Sequence, residues 1–498
     1  MHRFLRRAIA IRANPRKLHR TNLARQDFFT ARVLRLGTLL AFALACSCVH
    51  AQDGAYAPGF AQQGRELQNI GIGQSQARSM IVRPDGRIVL AGDCEYHIFN
   101  VDWPTLCLMG LRPDGSLDHA FGPAENGRIV LGDYVESASF PENAFSSSSL
   151  LRLPDGRLVL VGNRSRPDPT IGLVVRLSDN GVPETAADGH IHHEFAFAHH
   201  ATAPDNVVAA AAMQGDKLIV VGSAAREGSN PPNEDFGIAR LNPDLSLDTS
   251  FNGTGTRLAA FDLGGANKDF PTAVAVQRDG KIVLAGTAQV DAQTYALAVL
   301  RLNADGSADA SFGDNGRVWY SNPGMGTVAL ALILDRQGRI LVAGGVQPFP
   351  FRDQSDVLVM RLLPGNGQPD PSFGDGGFRV VAFNFGIGND DAAKALALQP
   401  DGRILLAGVA SDATTGSVFA IVRLTANGQL DSSYGIGGRG WGSFAAPTQQ
   451  AAGSDAQAAV VANGGLMLAG IGKAAGGGDQ FGIAKLQLDL IFSDGFQP

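Results

Sequence analysis

The sequence predicts an all-β protein, a seven-bladed β-propeller built from seven repeats of about 60 residues, each with four antiparallel strands. Three observations carry that expectation. A motif reading Asp-Gly-Arg-Ile-Val-Leu-Ala-Gly at Asp85–Gly92 returns at Asp155–Gly162, Gly215–Gly222, Asp279–Gly286, Gln337–Gly344, Asp401–Gly408 and Asn463–Gly470. Its closing glycines are 70, 60, 64, 58, 64 and 62 residues apart, so one supersecondary unit is copied along the chain. Between the copies only short apolar runs and turns occur, with no helical period.

Each unit justifies four strands in order. A short run such as Thr272–Gln277 or Ala393–Gln399 meets an Asp-Gly turn, where Gly supplies positive φ and Asp a local acceptor. The core strand follows and reaches the closing glycine, which marks a bulge or a close approach of blades. A variable loop then leads to an apolar strand ending in Arg-Leu, a second turn, a Phe-Gly tail and a short fourth strand such as Gly316–Tyr320 or Gly377–Phe383. An open β-solenoid is the alternative, but its coils are usually much shorter. A radial array also lets roughly 450 residues fold without one oversized core, since each blade buries its faces against its neighbours. The ends are complementary. Ala57–Arg65 matches the tail half of the unit, and the last unit, Phe481–Leu490, lacks that half, so the N-terminus is expected to complete the last blade.

The expected organisation is a leader over 1–51, a propeller over 52–490 and a tail over 491–498. Leu36–Ala45 is an apolar h-region and Val49-His50-Ala51 presents small residues for signal cleavage, so export to the periplasm or beyond the cell is expected. The h-region is short for a membrane span, and the residues before Cys46 fit a lipidation site poorly. Ten of the 41 basic and one of the 47 acidic residues precede Gln52, leaving a formal net charge of −15 against −6 for the whole chain. That balance argues against nucleic acid or anionic lipid, where Lys and Arg neutralise phosphates. Cys94 and Cys107 are the cysteines left after the leader, and an oxidising compartment makes them a disulfide bracketing one loop.

The run Arg-Leu-Asn-x-Asp-Gly-Ser-x-Asp-x-Ser-Phe-Gly at Arg301–Gly313, followed elsewhere by Gln-x-Asp-Gly-Lys-Ile-Val-Leu-Ala-Gly, resembles the delta-60 repeat family of exported bacterial tandem-repeat proteins. The resemblance spans nearly all of residues 55–490. It implies fold and export and brings no activity with it. The second unit departs most, since Val175-Arg176-Leu177 is followed by no Phe-Gly tail.

Three sets of residues are candidates for chemistry. Asp114 and Asp118, Asp244 and Asp248, and Asp305 and Asp309 pair carboxylates four apart around turns, a pattern open to calcium but also to plain turn formation. His190, His192 and Glu194 fall on one face if extended, a zinc-like donor set within a segment holding five of the ten histidines. Tyr96 and Trp103 inside the cysteine bracket, with Phe349, Phe351 and Arg352 in the fifth unit, lie in loops sharing the face opposite the Asp-Gly turns and suit partner contacts. No Gly-x-Ser-x-Gly, His-Glu-x-x-His or phosphate loop is present. The expectation is therefore an exported, monomeric scaffold that binds a protein or glycan without catalysis. A metal-dependent hydrolase or lactonase-like enzyme at the central channel and a structural envelope component are the alternatives. Carboxylates and histidines converging on the channel mouth would favour the enzyme.

Overall fold

The apolar runs become strands because each is buried between neighbouring blades. In Ile282–Gln289 every residue is buried, and in Tyr295–Leu302 all but the first, as expected of strands covered on both faces. The computed structural model describes residues 53–71, 73–98, 101–131, 144–165, 170–185, 191–198, 206–226, 233–321, 325–348, 355–383, 391–412, 416–449 and 451–488. The leader over 1–51 and the tail over 491–498 lie outside them. The described residues form 28 strands in seven four-stranded antiparallel sheets, the predicted seven-bladed propeller.

From the axis outward, blade 1 is Ser75–Val82, Ile88–Ile98, Val101–Leu111 and Arg128–Val130, and blade 2 is Ala144–Arg152, Leu158–Ser165, Ile171–Leu177 and His192–Phe195. Blade 3 is Asn206–Gln214, Lys217–Ala225, Glu234–Leu241 and Thr256–Ala259, and blade 4 is Asp269–Val276, Ile282–Gln289, Tyr295–Leu302 and Arg317–Tyr320. Blade 5 is Met325–Leu334, Ile340–Pro348, Asp356–Leu362 and Phe378–Val381, and blade 6 is Ala392–Leu398, Ile404–Asp412, Gly416–Leu424 and Arg439–Gly442. Blade 7 takes Ala451–Ala462, Gly465–Ala474 and Asp479–Gln487 from the C-terminal end and Arg65–Gln68 from the N-terminal end. The ring closes as the end-to-end complementarity predicts.

The repeated Arg-Leu…Asp…Phe-Gly signature is an inter-blade latch. In blade 4 Arg301 donates to Asp309 at 2.7 Å, lies 4.3 Å over the Phe312 ring, and reaches the carbonyls of Pro364 and Gly365 on blade 5. Phe312 is fully buried where a Cβ on Gly367 of blade 5 would stand, 2.6 Å away. Arg240 with Phe251, Arg361 with Phe373 and Arg423 with Tyr434 repeat the arrangement. At the seam Arg423 pairs with Asp53, and Tyr434 packs under Gly54, so the last latch grips the N-terminal segment. Blade 2 lacks the aromatic. Its Arg176 pairs with Glu184 instead, and the facing turn of blade 3 carries Leu245 at φ 71° where the other turns place glycine. With no ring to accommodate, that turn tolerates a side chain.

Cys94 and Cys107 form a disulfide with Cα atoms 5.9 Å apart, as predicted. The segment between them is not a loop. Ile88–Ile98 and Val101–Leu111 pair continuously through Tyr96 opposite Trp103 to Ile98 opposite Val101, so the bracket is an elongated hairpin with both half-cystines buried.

Candidate functional site

The closing glycines do not end their strands, because a bulge opposite each one absorbs a residue and pairing then resumes. The innermost strand slips register at Ala77/Ser79, Ser147/Ser149, Val208/Ala210, Pro271/Ala273, Ala329/Ala331, Ala393/Ala395 and Ala456/Ala458. In each case the residue before the slip pairs with the closing glycine. A Cβ on that glycine would lie 1.9 to 2.2 Å from an inner-strand carbonyl oxygen, so only glycine permits the bulge.

The seven skipped residues are Arg78, Ser148, Ala209, Thr272, Leu330, Lys394 and Gln457, and all seven line one axial cavity of about 550 Å³. Each stands thirteen or fourteen residues before its glycine. Inner strands enter from the face that carries the variable loops, and the skipped residue falls near the middle of each, so the ring girdles the channel partway along its length. Chemically the ring divides in two. Blades 6, 7 and 1 supply Lys394, Gln457 and Arg78, while blades 2 to 5 supply Ser148, Ala209, Thr272 and Leu330.

The charges in the channel are paired. Arg78 donates to Asp93 at 3.1 Å, and Asp93 also accepts the Ser147 N–H at 2.6 Å and its hydroxyl at 2.9 Å, tying blade 1 to blade 2. Lys394 pairs with Asp455 of blade 7, which also accepts from Gln457 Nε2 at 2.9 Å. No histidine lines the cavity among the described residues.

The residues singled out from sequence are dispersed. His192 and Glu194 stand on the outer strand of blade 2 with Nε2 and Oε1 3.2 Å apart, while His190 lies outside the described residues. The Arg164 guanidinium pairs with the same Glu194 carboxylate. Among the described residues no group of three or more His, Cys, Asp or Glu is placed to hold a metal ion. Trp103 is partly buried in the blade 1 hairpin, and Tyr96 is placed by its backbone pairing alone. Phe349, Phe351 and Arg352 lie outside the described residues.

The aspartate pairs are structural. The Ser307 hydroxyl and N–H hold the Asp305 carboxyl below the usual carboxylate range, as a turn acceptor. Burial works to raise Asp309, but bonds from Ser311 and Lys281 and the charge of Arg301 hold it well below that range. Asp114 and Asp244 act like Asp305, and Asp248 like Asp309. Asp118 receives Arg87 at 3.4 Å.

What the sequence reading missed is the ring itself. A signal was available in the near-constant offset of thirteen or fourteen residues from the closing glycine.

The family described as "Domain of unknown function (DUF5122) beta-propeller" matches residues 214–251, 277–312, 338–373 and 399–434. Each matched segment lies in one of blades 3 to 6 and ends on the latch aromatic, Phe251, Phe312, Phe373 or Tyr434. The chain is thus a repeat β-propeller by sequence as well as by fold. No curated protein sequence matches it. Among solved structures, a protein of unknown function from Dyadobacter fermentans is similar at 11% identity over 71% of this chain and 96% of that one, with a TM-score of 0.39. The polysaccharide lyase Uly1 is similar at 10% identity over 89% and 96%, with a TM-score of 0.45. An α-L-arabinanase from Cellvibrio cellulosa is similar at 16% identity over 58% and 92%, with a TM-score of 0.32.

Proposed function

We propose that this protein is an exported binding scaffold without catalytic chemistry, presenting the axial channel mouth and the loops around it to a ligand or partner. One observation carries the reading. Asp93, which lines the channel, and Asp455, the partner of the channel residue Lys394, are both engaged by cations, and no histidine accompanies them among the described residues. General acid–base work needs a group free to exchange a proton with substrate, and metal-assisted hydrolysis needs several uncommitted donors. Among the described residues, the carboxylates at the channel offer neither arrangement. The repeated motif supports the same reading, since its most regular residues serve the latch.

The test is the melting midpoint of the purified protein with and without EDTA, then with calcium or zinc restored. A ligand of the folded state raises the midpoint with concentration. The expected result is no change. A drop with EDTA and recovery with zinc would overturn the scaffold in favour of a metal-dependent protein and direct mutagenesis to His190, His192 and Glu194. Recovery with calcium alone would overturn it equally and direct mutagenesis to the turn aspartates.

A further inference from the structure

We propose that the axial channel seats a small hydroxylated carboxylate, its carboxylate held by Arg78 and Lys394 and its hydroxyls by the serine and threonine side chains opposite. The proposal rests on the scaffold reading and names the ligand class.

The channel's cations keep hydrogen-bonding capacity that its carboxylates have spent. Asp93 accepts on both oxygens from protein donors. Asp455 accepts from Lys394 and Gln457 on Oδ2, and its Oδ1 is buried out of reach. The cations are not exhausted. Arg78 uses Nε on Asp93 and one Nη2 hydrogen on Gln76 at 2.7 Å, and a guanidinium carries five N–H bonds. Lys394 spends one of three on Asp455. Both side chains reach the cavity, 37% and 29% exposed. The charged arc therefore offers cationic N–H donors with few open acceptors, the complement of a carboxylate. It does so in a chain whose formal net charge is negative.

The opposite arc has the reverse bias. The Ser148 hydroxyl donates to the Val208 carbonyl at 2.9 Å and that of Thr272 to the Ala329 carbonyl at 2.8 Å. Their hydrogens are spent and their lone pairs remain, so they favour ligand O–H groups. Ala209 between them leaves room, and a cavity of about 550 Å³ suits a small molecule.

The experiment is calorimetric titration of the purified protein at low salt with D-gluconate and with D-glucose. The variants are Lys394→Gln and Ala209→Phe, each checked by its ligand-free melting midpoint. Lys394→Gln keeps Asp455 bonded to Gln457, and Ala209→Phe fills the channel without touching a charge. Gluconate is expected to bind, more weakly as salt rises. Lys394→Gln should weaken it by about tenfold or more, the loss typical of one charged hydrogen bond, and Ala209→Phe should abolish it. Glucose binding as tightly as gluconate, lost in Ala209→Phe and kept in Lys394→Gln, would overturn the carboxylate while leaving a binding channel. Gluconate binding indifferent to both variants, or no gluconate binding, would overturn the proposal. The scaffold reading is judged separately by the EDTA melt.

Discussion

Asp269 offers a test of the blade architecture through pH. It opens the innermost strand of blade 4, is fully buried, and accepts the Phe261 N–H at 2.6 Å to fasten the loop arriving from blade 3. Burial pushes its carboxyl up to about 6, with the bond from Phe261 pulling down and the nearby charges of Asp235 and Asp262 adding to the rise. The other groups facing this corner are Arg226, paired with Asp235, and Asn233, bonded to Asp262. Because the folded value exceeds the unfolded one near 3.8, the contribution to stability is full below about pH 3.8 and lost as pH rises through about 6. A rise of about two units corresponds to about 3 kcal/mol against the folded state at pH 8.

Asp269→Asn removes the charge and keeps an acceptor for Phe261. The fold already uses this device, since Asn206 accepts the Phe197 N–H in blade 3 at 3.0 Å. The variant should gain up to about 3 kcal/mol at pH 8 and under about 1 kcal/mol at pH 4. With an unfolding entropy of roughly 2 cal/mol/K per residue over some 440 residues, the gain at pH 8 is about 3 °C in melting midpoint. Paired thermal melts of parent and variant at pH 4, 6 and 8 read it directly. A difference that is the same at all three pH values, or a variant less stable than the parent at pH 8, would refute the reasoning.

Two further changes test how the ring is held. Gly286→Ala would place a Cβ 2.2 Å from the Phe270 carbonyl oxygen and abolish the blade 4 bulge, with an expected loss above about 3 kcal/mol. Gly326→Ala has open space within 4 Å and should stay within about 1 kcal/mol, so equal denaturation midpoints for the two variants would sink the bulge argument. Asp53→Ala withdraws one carboxylate from the buried Arg423 while Asp431 remains at 2.8 Å, and should cost about 2 kcal/mol. Limited proteolysis should then cut first within the N-terminal strand of blade 7, and an unchanged cleavage pattern would mean that the seam does not depend on this pair.

Most of the fold was legible because the residues that repeat are those that hold blades together. Arg301, Asp309, Ser311 and Phe312 recur in sequence because each blade needs the same grip on the next, and Gly367 recurs because the ring needs its space. Even a departure follows this rule, since blade 2 loses the aromatic and blade 3 answers with Leu245. The same logic explains the misreading of the cysteine bracket. Hydrophobic pattern alone does not say that a variable segment between two strands continues their pairing, as Tyr96 opposite Trp103 does.

The channel was hidden for the opposite reason. At the skipped position the backbone is fixed by the glycine opposite it and the side chain faces the axis, where contacts with the next blade differ from copy to copy, Ser148 and Thr272 reaching carbonyls and Lys394 a carboxylate. Arginine, serine, alanine, threonine, leucine, lysine and glutamine therefore succeed one another at one structural position, and a reading tuned to repetition passes over them. In a closed ring of copied blades, a residue that repeats is accounted for by the scaffold. A residue that varies at an offset of thirteen or fourteen from a recurring glycine is free to carry specificity. For the proposed channel site, specificity then lies in the seven positions that the motif leaves open, and it is why Arg78 and Lys394, rather than the recurring aspartates, are the residues to change first.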